Sequence, residues 1–427
     1  MADKSGSRAS QLLALFALVC ACAGNPLASA DAAHALDAPT GLDATRLPDA
    51  DTRCAVLHAG LTEVLAAHAD AGSYAGGAVA SVISPPCGRW VGAVGEAEPG
   101  VELTADRLLR IGSVTKTFTA ATVLTLAADS LVALDDTLES YQPGYPNGEQ
   151  IRVRQLLNHT AGTFNITDDS AFMAEARANP TRVYTPAELV AVAAAHEPAF
   201  EPGTSWGYSN TNYLLLGLVI EQATSQPAAT VIRERTLQAL GLDRVFLEGA
   251  EPLPEPIAPG YGPSGADVTG VLPATIRWTG GGMVAEVGDL ATWIAALAGG
   301  DLLAPAEQAA MLAWVPTPGD RECGLGIFSF DVEGVGSTLG HTGSTPGFAA
   351  VVLYAPALRA AAAVIVNNIR GDAKEIAEAL LGLRLTARSG RDQGGMSPGP
   401  ASSSRILSAT FSAPAPRTVS MMLTASP

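Results

Sequence analysis

The chain has 427 residues, 48% of them hydrophobic and 16% charged, enough apolar material for one large core or two packed subdomains. Its formal net charge is -17, and because nucleic-acid binding needs clustered Lys and Arg, we expect no nucleic-acid partner. The six histidines show no paired ligand spacing, which argues against a zinc hydrolase. We therefore expect no metal and no cofactor.

The first 30 residues have the pattern of an export signal. A basic start precedes an apolar run at residues 11–19, and the small residues Ala28-Ser29-Ala30 follow. The run is shorter than the roughly 20 residues that span a bilayer. Cleavage after Ala30 would release a soluble protein, whereas the sequence around Cys22 resembles a lipoprotein site and would give a lipid anchor; a buried amino-terminal helix is the alternative. We expect a secreted or cell-envelope protein with a signal peptide at 1–30 and a linker at 31–51.

Regular hydrophobic patterns begin after the linker. They predict, in chain order, a helix over 52–70, strands over 76–84, 89–94, 348–354 and 360–366, and a helix over about 373–385. Because the early and late segments share one architecture, we expect them to form a single antiparallel sheet flanked by helices.

The middle of the chain differs from both ends. Residues 126–284 are richer in helical patterns, Pro-Gly turns and long loops, which predicts a mostly helical subdomain inserted between sheet parts at about 52–125 and 285–387. The fold class is therefore α+β, with one globular domain over 52–387. Residues 388–427 are rich in Ser, Pro, Ala and Gly without a periodic apolar face, which predicts a flexible tail.

Three cysteines remain once a signal peptide is removed, namely Cys54, Cys87 and Cys323. An oxidising compartment would allow two of them to pair. We favour Cys54 with Cys87, because a helix that opens at Cys54 could cover the turn that holds Cys87. Three free buried thiols are the alternative.

The first motif with chemistry is Ser113-Val114-Thr115-Lys116. Ser113 lies in the first turn of a predicted helix, and residues three apart on a helix face the same way, so the Lys116 amine lies near the serine oxygen. An amine in a partly dry cleft can take the proton of a serine hydroxyl. Such a pair also occurs by chance, but the chain has only three lysines. A surface lysine is the alternative.

A second motif, Tyr208-Ser209-Asn210, follows a Pro-Gly turn. A tyrosine near an ammonium can be partly ionised and relay protons, and an asparagine amide can orient a substrate carbonyl. The alternative is an aromatic residue packed on the core, with Asn210 capping a helix that begins near Tyr213.

A third motif, Gly340-His341-Thr342-Gly343-Ser344, directly precedes a predicted strand. An edge strand here would offer backbone groups to an extended substrate, glycine would allow close approach, and His341 would add a hydrogen-bond donor. A turn with a solvated histidine is the alternative.

Three motifs resemble, in their order and spacing, those of the serine β-lactamase and penicillin-binding protein superfamily. They are Ser113-x-x-Lys116, Tyr208-x-Asn210 and His341-Thr342-Gly343. Tyr-x-Asn as the second motif points to its class C clan, and His-Thr-Gly as the third resembles the secreted D-alanyl-D-alanine carboxypeptidases. The runs 156–162 and 280–283 support the likeness, which covers roughly residues 50–385.

The resemblance implies a β-lactamase/transpeptidase-like fold and an acyl-enzyme mechanism. Ser113 would be the acylated nucleophile, with Lys116 and Tyr208 as its proton-transfer partners and Asn210 as a ligand of the substrate amide. The backbone N–H groups of Ser113 and Ser344 would form the oxyanion hole.

The resemblance also implies a substrate-binding set. His341, Thr342 and Gly343, together with Ser344, would hold the substrate along the strand. Trp278 aligns with an aromatic residue that lines the cleft in the carboxypeptidases, and Phe172 is a second candidate.

One segment departs from the carboxypeptidase pattern. Those enzymes carry an arginine just after Gly-Leu-Gly that meets the free carboxylate of the terminal D-alanine, whereas here Gly324-Leu325-Gly326 continues into Ile327-Phe328. An apolar residue supplies no charge-assisted bond to a carboxylate. An esterase, a β-lactamase, an amidase or a non-catalytic cell-wall or β-lactam-binding protein is therefore the alternative to a carboxypeptidase. We expect a monomer that binds a D-amino-acid peptide, a β-lactam or an ester.

Overall fold

The computed structural model describes residues 50–70 and 76–389. The predicted signal peptide with Cys22, nearly all of the linker and nearly all of the tail lie outside the described residues. In chain order the helices are α1 Ala50–Asp70, α2 Thr115–Ala128, α3 Val153–Leu157, α4 Ser170–Ala178, α5 Pro186–Ala194, α6 Asn210–Thr224, α7 Ala228–Ile232, α8 Trp278–Gly281, α9 Val287–Gly299, α10 Pro305–Met311 and α11 Ala373–Ser389. None of the described helices is long and apolar enough to cross a membrane.

The strands form one large sheet and one small sheet. They are β1 Gly77–Ser84, β2 Gly88–Glu98, β3 Val101–Glu102, β4 Leu109–Arg110, β5 Val245–Leu247, β6 Met283–Ala285, β7 Val315–Pro316, β8 Glu322–Cys323, β9 Phe328–Val332, β10 Gly336–Thr345, β11 Phe348–Ala355 and β12 Ala360–Val366. The large sheet has the order β3-β2-β1-β12-β11-β10-β9-β8-β7 with antiparallel neighbours throughout. Early and late segments therefore share one sheet, and the predicted α+β class is confirmed.

The central strands are buried on both faces. In β12, Ala361, Ala363 and Ile365 join the core formed with α2, α6 and α9. The alternate residues Ala362 and Val364 join a second core with α1 and α11. Since side chains alternate across a strand, the unbroken apolar run of β12 follows from its place between two helical layers.

The small sheet was not expected from the sequence. β5 falls within the predicted helical insertion and β6 crosses its end, yet β6 pairs with both β5 and β4, in the order β4-β6-β5. Just beyond β4, the N–H of Ile111 donates to the Met283 carbonyl at 3.1 Å. This sheet therefore anchors the segment that leads into Ser113.

The predicted pairing of Cys54 with Cys87 is confirmed, because the two residues form a disulfide. It ties α1 to the turn between β1 and β2. Cys323 is a buried free thiol.

Candidate active site

Ser113 lies in a single 3-10 turn, Gly112–Val114, that leads directly into α2. Gly112 has a φ of +51°, a left-handed conformation that favours glycine, and a Cβ there would lie 2.7 Å from the Ser344 nitrogen. Ser113 therefore stands at the start of a buried helix, where backbone N–H groups lack intrahelical acceptors and favour negative charge. Lys116 follows one turn later, and its Nζ lies 3.2 Å from Ser113 Oγ.

Lys116 is fully buried, with its amine among oxygen atoms. Nζ lies 2.8 Å from Asn210 Oδ1 and 2.5 Å from the Gly280 carbonyl oxygen. Burial lowers the pKa of Lys116 to about 7. A neutral amine has two hydrogens, which Asn210 and Gly280 can accept, so its lone pair is left for the Ser113 hydroxyl. The geometry therefore suits Lys116 as a proton acceptor.

Tyr208 and Asn210 reach the same point from the start of α6. The Tyr208 ring centroid lies 4.8 Å from Lys116 Nζ, and the phenol interacts with the Ser113 hydroxyl. Burial raises the pKa of Tyr208, and the hydrogen bond with Ser113 offsets this rise only in part. The phenol therefore keeps its proton near neutral pH, in contrast to the partly ionised tyrosine expected from the sequence. Asn210 Nδ2 is held 3.3 Å from both Asn165 Oδ1 and Thr167 Oγ1, which fixes its amide with Oδ1 toward Lys116.

His159 holds the segment that carries Tyr208. Its Nδ1 accepts hydrogen bonds from the Ser209 N–H at 3.2 Å and the Asn212 amide at 3.1 Å, and its ring lies 4.4 Å from the Tyr208 ring. Burial is the largest of the causes that lower the pKa of His159 well below its ordinary value, so the imidazole stays neutral and can accept both bonds. His159 lies in the run 156–162 that supports the family resemblance, but its role was not predicted from the sequence.

The third motif lies in β10, which is an interior strand rather than the expected edge strand. Its pairing with β9 ends at Gly340 opposite Phe328, while its pairing with β11 continues to Thr345. The half of β10 from His341 to Thr345 is therefore open on the β9 side among the described residues, and it can offer backbone groups as an edge strand would.

Gly343 brings the open half of β10 against the Ser113 turn. A Cβ at Gly343 would lie 1.9 Å from the Ile111 carbonyl oxygen and 3.1 Å from the Ser113 nitrogen. Only glycine allows this approach. The backbone nitrogens of Ser113 and Ser344, the predicted oxyanion-hole donors, consequently lie on adjoining segments. Thr342 is half-buried and Ser344 is exposed in the same stretch.

His341 differs from the sequence expectation. Its Nδ1 lies 2.5 Å from the Thr342 carbonyl oxygen, so Nδ1 carries the hydrogen and the buried, unpartnered Nε2 is an acceptor. Burial, with the charge of Lys116 next, lowers the pKa of His341 to about 3. His341, predicted to donate a hydrogen bond, is therefore a neutral imidazole whose buried Nε2 is an acceptor.

The two aromatic candidates lie apart from this cluster. The Trp278 ring packs against Gly217 in α6 and lines a cavity of about 280 Å³ with residues of α7, although its backbone leads into the Gly280 turn. Phe172 packs edge-on against Tyr184 in the core, with 5.4 Å between ring centroids. The structure therefore brings together Ser113, Lys116, Tyr208, Asn210 and the β10 residues, but not these two rings.

Two further contributors besides His159 were not predicted from the sequence. Gly280 supplies a carbonyl to Lys116, which no side-chain pattern signals. Arg321 places its guanidinium 4.5 Å from the centroid of the Phe328 ring, next to the open half of β10.

Within residues 50–70 and 76–389, no group of three or more His, Cys, Asp or Glu is arranged to hold a metal ion. The cluster offers a hydroxyl, a buried amine, a protonated phenol and paired backbone N–H groups, the parts of an acyl-transfer site.

Comparison with known proteins gives a consistent result. The family model described as Beta-lactamase matches residues 61–384. A D-aminopeptidase from Brucella anthropi is 32% identical over 195 residues, covering 45% of this chain and 36% of that protein. Penicillin-binding protein 4* from Bacillus subtilis (strain 168) is 26% identical over 267 residues, covering 59% of this chain and 58% of that protein. The chain thus matches well under two thirds of the length of each of these relatives.

Among solved structures, a D-stereospecific amidohydrolase from Streptomyces sp. is similar over almost its whole length. The match has a TM-score of 0.68 and 34% sequence identity, and it covers 75% of this chain and 98% of the other.

Proposed function

Since the chain belongs to the β-lactamase family, we propose that it is a serine hydrolase that forms an acyl-enzyme on Ser113 and cleaves an amide or peptide bond beside a D-amino acid. The observation that carries the proposal is the position of Lys116, whose buried Nζ lies 3.2 Å from Ser113 Oγ with two other oxygen atoms to accept its hydrogens. The preference for D-residues is supported by the similarity to a D-aminopeptidase and a D-stereospecific amidohydrolase.

The first half-reaction joins the acyl group to the serine. Ser113 Oγ attacks the substrate carbonyl carbon while neutral Lys116 takes the hydroxyl proton. The carbonyl oxygen becomes an oxyanion, which the N–H groups of Ser113 and Ser344 stabilise. Preorganised donors of this kind contribute about 3–4 kcal/mol each to lowering the barrier.

The second half-reaction releases the products. Because burial keeps Tyr208 protonated, its phenol can give a proton to the departing amine, and Lys116 returns its proton to Tyr208. Water then attacks the acyl carbon with neutral Lys116 as base, the proton passes to Ser113 Oγ, and the carboxylic acid leaves Ser113 free. The hydrogen-bonded amide of Asn210 keeps Lys116 in place, because its Oδ1 accepts from the amine.

The proposal also includes export. The disulfide between Cys54 and Cys87 supports folding in an oxidising compartment, as the predicted signal peptide would require. Whether Cys22 carries a lipid stays a prediction.

The test compares enantiomers. Release of ammonia from D- and L-phenylalanine amide, and of amine from D-alanyl peptides, should favour the D-form and vanish in Ser113→Ala. Ser337→Ala, at an exposed serine in the first half of β10, is the matched control and should keep wild-type rates. Equal D and L rates would overturn the D-specificity, and turnover that survives Ser113→Ala would overturn the mechanism. Faster hydrolysis of p-nitrophenyl acetate or a chromogenic cephalosporin than of any amide would instead make the chain an esterase or a β-lactamase.

A further inference from the structure

The short helix α8 supplies the Gly280 carbonyl, whose oxygen accepts from Lys116 Nζ at 2.5 Å. α8 has only four residues, Trp278–Gly281, and a helix this short is not stable by itself. It ends in three consecutive glycines, residues 280–282, and glycine backbone adopts many conformations. The direction of the Gly280 carbonyl must therefore be fixed by contacts between α8 and its neighbours.

Two threonine hydroxyls tie α8 to two neighbouring helices. Thr119 Oγ1, on α2, donates to the Thr279 carbonyl oxygen at 2.8 Å. Thr279 Oγ1 donates in turn to the Tyr213 carbonyl oxygen of α6, also at 2.8 Å. Both threonines are fully buried, so the two hydrogen bonds are shielded from water. α8 is thereby held between the helices that carry Lys116 and Asn210.

The hydrogen bond of Thr119 differs from that of Thr122 in the same helix. Thr122 Oγ1 donates to the Phe118 carbonyl oxygen at 2.9 Å, four residues earlier in α2, which is a common arrangement for a threonine within a helix. The equivalent oxygen for Thr119 is the Thr115 carbonyl, which lies 3.5 Å away. Thr119 therefore uses its hydroxyl mainly to hold α8, whereas Thr122 uses its hydroxyl within α2.

We propose that Thr119 and Thr279 are positioning residues for the acylation of Ser113: they hold α8 so that the Gly280 carbonyl accepts one hydrogen of Lys116 and the amine lone pair faces the serine hydroxyl. This role rests on the proposed function, in which the neutral amine takes the hydroxyl proton. Without the two hydroxyls, the Gly280 carbonyl can turn away, and an N–H of the amine can then point at Ser113 Oγ in place of the lone pair.

Loss of this carbonyl also changes the titration of Lys116 in a definite direction. An acceptor stabilises the ammonium more than the neutral amine, so its removal lowers the pKa of Lys116 further, below the value of about 7 that burial already gives. A hydrogen bond to a charged group corresponds to a shift of about one pH unit. The neutral amine then persists to lower pH, and the fall in acylation rate begins about one pH unit lower.

The other titratable or charged side chains around Lys116 keep their protonation state where Lys116 titrates; they are Tyr208, Tyr213, His159, His341 and Arg321. Burial raises the pKa of both tyrosines, whose rings lie 4.8 and 5.4 Å from Nζ. Burial lowers the pKa of both histidines, with the charge of Lys116 as the next cause. Arginine stays charged in proteins. A shift of the pH profile in a threonine variant therefore reports the titration of Lys116.

The experiment measures the rate of adduct formation on Ser113 with a fluorophosphonate between pH 5 and 9. Thr119→Val and Thr279→Val each replace a hydroxyl by a methyl group of similar size. We expect both variants to show a plateau about tenfold lower and a midpoint about one pH unit below that of the wild type. At pH 5 their rates should then lie only about tenfold below their own plateau, where the wild type lies about 100-fold below. Thr279→Ser keeps the hydroxyl and should restore the wild-type midpoint.

The matched control is Thr122→Val, at a fully buried threonine of the same helix whose hydroxyl bonds within α2; it should leave the midpoint unchanged. The proposal is overturned if Thr119→Val and Thr279→Val lower the melting temperature but keep the wild-type midpoint, or if Thr122→Val moves the midpoint as far as they do. Failure of the proposed function is read separately, as the absence of an adduct on Ser113 in the wild-type chain. The ¹³C titration of Lys116 Cε in the same variants then still tests the positioning role, because it needs no turnover.

Discussion

The titration of Lys116 gives the sharpest prediction about catalysis. The proton acceptor must be the neutral amine, and burial lowers the pKa of Lys116 to about 7. The acylation rate should therefore rise with pH and level off above about 7. Below pH 7 the neutral fraction of Lys116 falls about tenfold with each pH unit, so at pH 5 the rate should be about 100-fold below its plateau. Two nearby histidines cannot cause this fall in rate below pH 7. Burial lowers the pKa of His341 to about 3 and the pKa of His159 well below its ordinary value.

The same pKa can be measured without turnover. The chain has only three lysines, Lys4, Lys116 and Lys374, so protein labelled with ¹³C at lysine Cε gives few signals to assign. Lys374→Arg removes one of them and identifies it. We expect one Cε resonance, that of Lys116, to titrate near pH 7. The absence of any lysine signal that titrates near pH 7, or an acylation rate that stays flat between pH 5 and 9, would refute the reasoning.

The lowered pKa also has a consequence for stability. The unfolded lysine binds a proton between pH 7 and about 10.4 that the folded one does not, so this group destabilises the fold at low pH and the stability of the chain rises with pH across that window. The full pKa shift of Lys116 lowers the free energy of unfolding by about 5 kcal/mol at pH 7 and below. Lys116→Met should therefore be inactive, but more resistant to thermal unfolding at pH 6 by a few degrees. A lower melting temperature at pH 6 would contradict this account of the buried amine.

Three further changes test the supports of the site. His159→Ala removes the acceptor for the Ser209 N–H and should lower kcat by about 100-fold. His159 has a left-handed φ of +63°, which asparagine tolerates, so His159→Asn keeps an acceptor and should restore part of kcat. Equal losses in both variants would contradict a positioning role. Gly343→Ala would place a Cβ 1.9 Å from the Ile111 carbonyl oxygen, so adduct formation on Ser113 should slow by at least about tenfold while the circular dichroism spectrum stays unchanged. In the control Gly270→Ala, the added Cβ meets nothing within 4 Å, and the rate of adduct formation should stay unchanged. Replacing both Cys54 and Cys87 by Ser opens a loop with a sequence separation of 33 and should lower the free energy of unfolding by about 3–4 kcal/mol without changing kcat. An unchanged denaturation midpoint would contradict a stabilising role of the disulfide.

Much of the site could be predicted because its signals are local in the chain. Ser113 and Lys116 lie one helical turn apart, and Tyr208 and Asn210 flank the start of one helix, so their side chains meet for reasons visible in the spacing. The strands β1, β2, β11 and β12 were also predictable from local patterns, and β12 is apolar throughout. The predicted domain boundaries stay predictions.

The missed features depend on contacts between distant segments. β5 and β6 have three residues each, too few for a periodic pattern, and exist because they pair with β4. The Trp278 ring could not be placed because its φ of +31° and the space beside Gly217 decide its direction. Arg321 lies before Gly324-Leu325-Gly326 rather than after it, and only the sheet brings it over Phe328.

The central claim is that Ser113 becomes acylated with Lys116 as its base. The most direct measurement is intact-mass spectrometry with peptide mapping after exposure to penicillin and to a fluorophosphonate. We predict a single adduct on the peptide containing Ser113, formed by the wild type and by Ser337→Ala, absent in Ser113→Ala and slowed by at least about 100-fold in Lys116→Met. A folded wild-type chain that forms no adduct with either reagent, or forms it on another residue, would contradict the account.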